Sequence, residues 1–152
     1  MFTLSRYYLW FLFFCFVYTI VTGLIAAWIP NEIAAALVTT PYLAAMITVL
    51  HIFLKRERRA PTSSERKYFT VVFLICFWLF NILGLLASLA YFSAQDPNVW
   101  QSFLSYLNHG QFLLMALGMV VLVSIPMVLI TLWFYGKQAQ RMALRLFGSS
   151  KK

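Results

Sequence analysis

Charge is what this sequence has least of. Only four of its 152 residues are acidic, and charged residues of either sign make up 11%, where a soluble domain carries ~25%. No Asp, Glu, Lys or Arg lies between Tyr7 and Ile29, nor in the middle of any other long apolar run. With 62% hydrophobic residues and a mean hydropathy of +0.81, a soluble core of this size could not hide so much apolar surface. Lipid is therefore the expected solvent for much of the chain.

Other absences narrow the chemistry. There are two cysteines, Cys15 and Cys76, both inside apolar runs, with no C-x-x-C pair. A disulfide framework is not indicated. Neither G-x-S-x-G nor H-E-x-x-H occurs, nor a phosphate-cradling glycine loop, nor a Ser/His/Asp set, so no catalytic machinery is visible and no enzyme is expected. Pumps and proton-coupled transporters place an ionisable group inside the membrane. Small four-helix drug exporters carry such a glutamate in their first helix, and the matching region here has none. Glu32 is the one candidate, at a helix end beside water, where the helix dipole favours an anion.

What is present is an ordered series of apolar runs. The first, 7–29, covers about 34 Å as a helix, enough to cross ~30 Å of hydrocarbon. It is too long and aromatic for a signal peptide, and Ala26-Ala27-Trp28 is a poor cleavage site. Pro30 should stop it, with Asn31 capping the next helix. The second span is expected over 33–54. Thr40, Ala44 and Thr48, with Ala36 a turn earlier, form a small-residue stripe that permits close helix approach in a membrane. Pro41 is expected to bend this span, with Thr39 or Thr40 bonding the freed carbonyl.

The segment Lys55–Lys67 follows, with six of the twelve basic residues. Thr62 and Glu65 have capping-box spacing and predict a third helix from near Ser63, spanning 68–92. Asn81, Gly84 and Ser88 share one face of it, expected to turn inward because Asn81 is costly toward lipid. Asp96-Pro97 reads as a cap followed by proline at the first helical position. Trp100, Phe103, Leu104 and Leu107 then predict a short amphipathic helix, 97–107, at the membrane surface. A last span, 111–135, contains Gly118 and Pro126 as points of close packing and bending. The basic tail, 136–152, should continue it as helix to near Gly148. Trp10, Trp28, Trp100 and Trp133 lie near span boundaries, as interfacial residues do.

The expected fold is thus an all-α membrane protein of one domain, with four transmembrane helices and a short extracytoplasmic amphipathic helix. Arg6, the central loop and the tail carry all the Lys and Arg, and the opposite connections carry only Glu32 and Asp96. Short basic loops stay in the cytosol, so both termini are expected there. Lys55, Arg56, Arg58, Arg59, Lys137, Arg141 and Arg145 would contact anionic lipid headgroups. The net charge of +8 follows from this bias and gives no reason to invoke nucleic acid.

His51 and His109 fall at opposite surfaces, on the order of 25 Å apart by helix rise, too far for one haem iron. His51 is expected to face inward, bonded near Thr48. Cys15 and Cys76 lie at similar depth with His51 somewhat nearer the cytosol, a set from which a copper or zinc site is imaginable. The simpler reading is of small hydrophobes, and no cofactor or metal is expected.

The loop reading Arg59-Ala60-Pro61-Thr62, followed by Glu65, together with the four-span layout, resembles an uncharacterised family of small bacterial inner-membrane proteins. That resemblance implies a bacterial inner membrane and supplies no activity or site residues. Three functions remain open: a non-enzymatic accessory protein packing against itself or a larger membrane partner, a small dimeric transporter using Glu32, and an immunity-type protein against a pore-forming toxin. Glu32, His51 and Asn81 are the candidate functional residues. Thr40, Ala44, Thr48, Gly84, Ser88 and Gly118 are the candidate helix-packing residues.

Overall fold

A computed structural model describes residues 2–30 and 37–148. All its regular structure is helical, with no strand among the described residues. Helix α1 is Phe2–Ala26, α2 is Thr40–Glu57 after a short 3₁₀ turn at Leu37–Thr39, and α3 is Ser63–Gln95. Helix α4 is Asn98–Leu107 and α5 is Gly110–Trp133. A π-helical segment, Phe134–Gln138, joins α5 to α6, Ala139–Phe147. Three stretches are long and apolar enough to cross a membrane: Ser5–Ala26, Ser63–Gln95 and Gly110–Phe147.

Helix ends follow local chemistry. Thr62 accepts from the Glu65 backbone N–H at 3.3 Å, and Glu65 Oε2 accepts from the Thr62 N–H at 2.8 Å, which completes the expected capping box. Asp96 accepts from the Asn98 N–H at 2.9 Å, with Pro97 in helical geometry, so α4 starts as its sequence predicts. The tail is helical and ends at Gly148, whose φ of 72° is a conformation glycine adopts without steric cost.

Two boundaries differ from expectation. Helix α1 ends at Ala26, about one turn short of residue 29. Its chain closes through tight turns, Trp28 N–H to the Ile25 carbonyl and Ile29 N–H to the Ala26 carbonyl, as fits a segment that Pro30 bars from continuing the helix. Pro41 does not bend a long second helix. It lies in the first turn of α2, where its missing N–H has no bond to lose. The expected cap at Asn31, Glu32 and the start of span two at residue 33 lie outside the described residues, as does Ala36. From Thr40 to Leu54, α2 is uncharged for only about 22 Å, because Lys55, Arg56 and Glu57 fill its last turn. Alone, that is less than a membrane crossing.

The packed core gathers at the basic end. Tyr7, Phe11 and Cys15 of α1 meet Tyr42, Met46, Leu50 and Phe53 of α2, Phe69, Phe73 and Phe77 of α3, and Met127, Tyr135 and Ala139 of the last helix. The Phe11 and Phe73 rings stack at 4.0 Å and 5°, and Tyr42 meets Phe11 edge-on at 5.6 Å. Buried hydroxyls are satisfied. Thr131 donates to the Met127 carbonyl at 2.7 Å, so Tyr42 donates to Thr131 at 2.7 Å. Tyr135 donates to the Met46 carbonyl at 3.0 Å. Helices α1 and α5 are apolar all round, which leaves their facing sides to be chosen by these contacts.

Beyond Phe77 on α3 and before Met127 on α5, Leu89 is the one buried residue among those described. The two helices continue there as an open arm capped by α4. At ~1.5 Å per residue the 33 residues of α3 extend about 50 Å, far past the end of α2.

At the opposite end of the same helix, Arg59 grips Glu65 with both guanidinium nitrogens, at 2.7 and 2.8 Å. This pairing, with the Thr62 N–H, holds the Glu65 carboxyl down at about 2, against an ordinary value of 4.5. A depressed carboxylate stabilises the folded state above its unfolded pKa, and that contribution is lost as pH falls through the folded one. In thermal unfolding of the detergent-solubilised chain, the stability gap between wild type and Glu65→Gln should close as pH falls from 4.5 to about 2. A gap that stays constant across this window would contradict the pairing.

Candidate functional site

The clearest concavity inside the apolar region is an open cleft of about 240 Å³ between α1, the start of α2 and the middle of α3. Cys15, Thr19, Thr22 and Gly23 line it from α1, Leu37 and Pro41 from the start of α2, and Phe77, Phe80 and Asn81 from α3. Its polar side chains bond to their own helices. Thr19 donates to the Cys15 carbonyl at 2.7 Å, Thr22 to the Tyr18 carbonyl at 2.7 Å, and Asn81 to the Phe77 carbonyl at 2.8 Å. Such back-bonding spends the hydroxyl donors and leaves acceptor lone pairs, with one amide N–H of Asn81 still to place. Among the described residues the cleft has no acid, no base and no paired nucleophile. It suits apolar matter with a few polar atoms.

Of the residues singled out from sequence, Asn81 lies on this cleft, half-buried as its polarity requires. Glu32 lies outside the described residues. His51 is half-buried on α2, but its expected bond to Thr48 does not form. Thr48 instead donates to the Ala44 carbonyl at 2.8 Å and receives the Tyr18 hydroxyl at 3.0 Å. Thr48 thereby ties α2 to α1, while Thr40 and Ala44 are half-buried beside it. Gly84 and Ser88 lie on the open arm, exposed, as does Gly118. A Cβ added at Gly84 or Gly118 would meet no atom of another element within 4 Å among the described residues. The inward face expected for Asn81, Gly84 and Ser88 therefore turns inward only at Asn81.

Cys15 is buried and Cys76 half-buried, both free. Among the described residues no three His, Cys, Asp or Glu side chains gather as metal ligands would, so Cys15, Cys76 and His51 do not form the imagined set. His109 Nδ1 lies 2.7 Å from the Ser105 carbonyl at the turn into α5.

The charges come together at one end. Arg58 and Arg59 share a groove with Gln140, Ala143, Leu144 and Phe147 of α6. Arg6 of α1 and Arg56 of α2 share another with Leu9, Trp10 and Phe13. Lys137, Arg141 and Arg145 are exposed on the last helix, and Lys55 is exposed on α2. The spatial pairing of Arg6 with Arg56 was not visible in the sequence, since 50 residues separate them; the antiparallel course of α1 and α2 was the signal. No family model, curated protein or solved structure matches the chain.

Space in the cleft is testable at Gly23, where an added Cβ meets nothing within 4 Å. Gly23→Ala should leave stability unchanged or raise it by about 1 kcal/mol through helix propensity, read as thermal unfolding in detergent. A loss above about 1 kcal/mol, the scale of overpacking, would show that the space is absent.

Proposed function

We propose that this chain is a four-span protein of a bacterial inner membrane, with both termini and the basic loop cytosolic. In this reading it acts without catalysis, by packing laterally against itself or a larger membrane protein. The observation that carries the reading is the lopsided core. The basic half of the bundle is packed and its hydroxyls are satisfied, whereas α3 and α5 run on as an arm that buries one side chain, Leu89. Gly84 and Ser88 on α3 and Gly118 on α5 lie open along that arm. Between helices in lipid, association comes from close backbone approach at small residues and from interhelical hydrogen bonds. A Cβ at Gly84 or Gly118 would meet nothing among the described residues, so a neighbouring helix is what these positions can serve.

Four spans follow from adding α2 to the three long apolar helices. Its uncharged turns need the preceding residues, apolar from Ile33 to Val38, to complete the crossing. The side assignment rests on the basic residues, gathered at one end, and on the single acid, Asp96, at the far turn.

A cysteine placed at Ser88 or Gly118, in a chain with Cys15→Ala and Cys76→Ala, tests lateral packing in native membranes. Oxidative or bismaleimide crosslinking should give a discrete adduct, to a second copy or to one larger protein. Gly84→Ile with Gly118→Ile should abolish the adduct while leaving the chain folded. No adduct from any position on the arm would contradict the proposal.

A further inference from the structure

The groove at Arg6 and Arg56 has features that lateral packing does not use. It is an open concavity of about 720 Å³ lined by Leu9, Trp10 and Phe13 together with Arg6 and Arg56. Neither arginine has an ion-pair partner among the described residues. The one ion pair among the described residues is Arg59 with Glu65. The nearest acid in sequence, Glu57, accepts the Tyr7 hydroxyl at 3.0 Å and reaches neither arginine within ion-pair distance. Two uncompensated cations from different helices thus stand above an apolar wall.

That wall is built rather than incidental. Trp10 stacks on Phe14 at 5.7 Å and 23°, and meets Phe13 edge-on at 6.1 Å. Its indole N–H makes no hydrogen bond among the described residues, and the side chain is 44% exposed. Along α1 the lining runs from the cation of Arg6 through Leu9 and Trp10 to the aromatic carbon of Phe13. A glycerophospholipid presents the same order: anionic phosphate, ester oxygens, acyl chain. Arginine suits phosphate because its planar fork donates two parallel hydrogen bonds, and tryptophan suits the ester level because one end is apolar and the other wet.

We infer that Arg6 and Arg56, with Leu9, Trp10 and Phe13, form a binding site for one anionic phospholipid at the basic end of the α1–α2 pair. The inference rests on the membrane reading above and narrows a diffuse basic face to one site. The lipid phosphate lies between the two guanidinium groups, and an acyl chain follows Leu9 and Phe13 down α1. The bound lipid also screens the repulsion between Arg6 and Arg56, so it should hold the start of α1 against the end of α2.

The test is native mass spectrometry of the full chain in mild detergent, titrated with dioleoyl phosphatidylglycerol or dioleoyl phosphatidylcholine. Wild type should prefer phosphatidylglycerol, and Arg6→Gln with Arg56→Gln should lower that preference about thirtyfold, the effect of two cations near a phosphate surface. Arg6→Lys with Arg56→Lys should keep most of it, which separates lost charge from lost folding. Lys137→Gln with Arg145→Gln removes equal charge elsewhere on the face, where headgroup contact is diffuse, and should lower the preference far less. Trp10→Ala should weaken both lipids. An unchanged preference in the double Gln variant, or an equal loss in the Lys137/Arg145 control, overturns the site. Displacement of the lipid by millimolar inorganic phosphate overturns the acyl groove. Alkaline extraction of wild-type membranes separates the two readings: a released chain contradicts the spans, while a retained chain with the preference intact in the double Gln variant overturns this site alone.

Discussion

The stack of Phe11 on Phe73, 4.0 Å apart and nearly parallel, is the contact on which the rest of the bundle depends. In lipid there is no hydrophobic gain from pressing one apolar helix against another, so helices must choose partners by close packing and by hydrogen bonds that have no better alternative. The aromatic cluster supplies the first. Tyr42 on Thr131 and Tyr135 on the Met46 carbonyl supply the second, and each crosses between α2 and the last helix. Tyr18 on Thr48 and Tyr7 on Glu57 do the same between α1 and α2. Helix α2 is the hub because it alone takes part in all four bonds.

Packing at one end frees the other. Once α1, α3 and the last helix are fixed around α2, the extra length of α3 and α5 finds no further helix to pack on among the described residues. Trp78 donating to Ser124 at 2.9 Å is the last side-chain bond between those two helices on the way out. The π-helical segment at Phe134–Gln138 lies on the packed side of this pair. There Gly136 lets the Arg66 guanidinium pass so close that an added methyl would lie 2.6 Å from Nη1. The π-helical irregularity thus belongs to the packed, basic end. The exposed arm is regular helix throughout, as backbone facing hydrocarbon must be.

Helix existence and helix starts were legible in the sequence because they rest on local chemistry. Thr62 with Glu65, and Asp96 with Pro97, name their own hydrogen bonds. Pro41 was misplaced for a local reason too: a proline flanked by apolar residues reads equally as a kink or as a first turn, and only the course of the preceding chain decides. The facing sides of α1 and α5 were not legible, because residues apolar all round carry no periodic signal. Hence the aromatic core, the cleft beside Asn81 and the meeting of Arg6 with Arg56 emerge only from the packed arrangement. His51 marks the same limit. Its polarity suggested a partner, but Thr48 was already taken by Tyr18 on another helix.

The proposed topology puts the basic loop and both termini on one membrane side and the Asp96 turn on the other. Single cysteines at Ser64 and Asn98, in a chain with Cys15→Ala and Cys76→Ala, test it in intact bacterial cells with a membrane-impermeant maleimide. In the proposed topology Asn98→Cys is labelled at once and Ser64→Cys only after the inner membrane is permeabilised. Labelling of both positions in intact cells, or of Ser64→Cys alone, would contradict it.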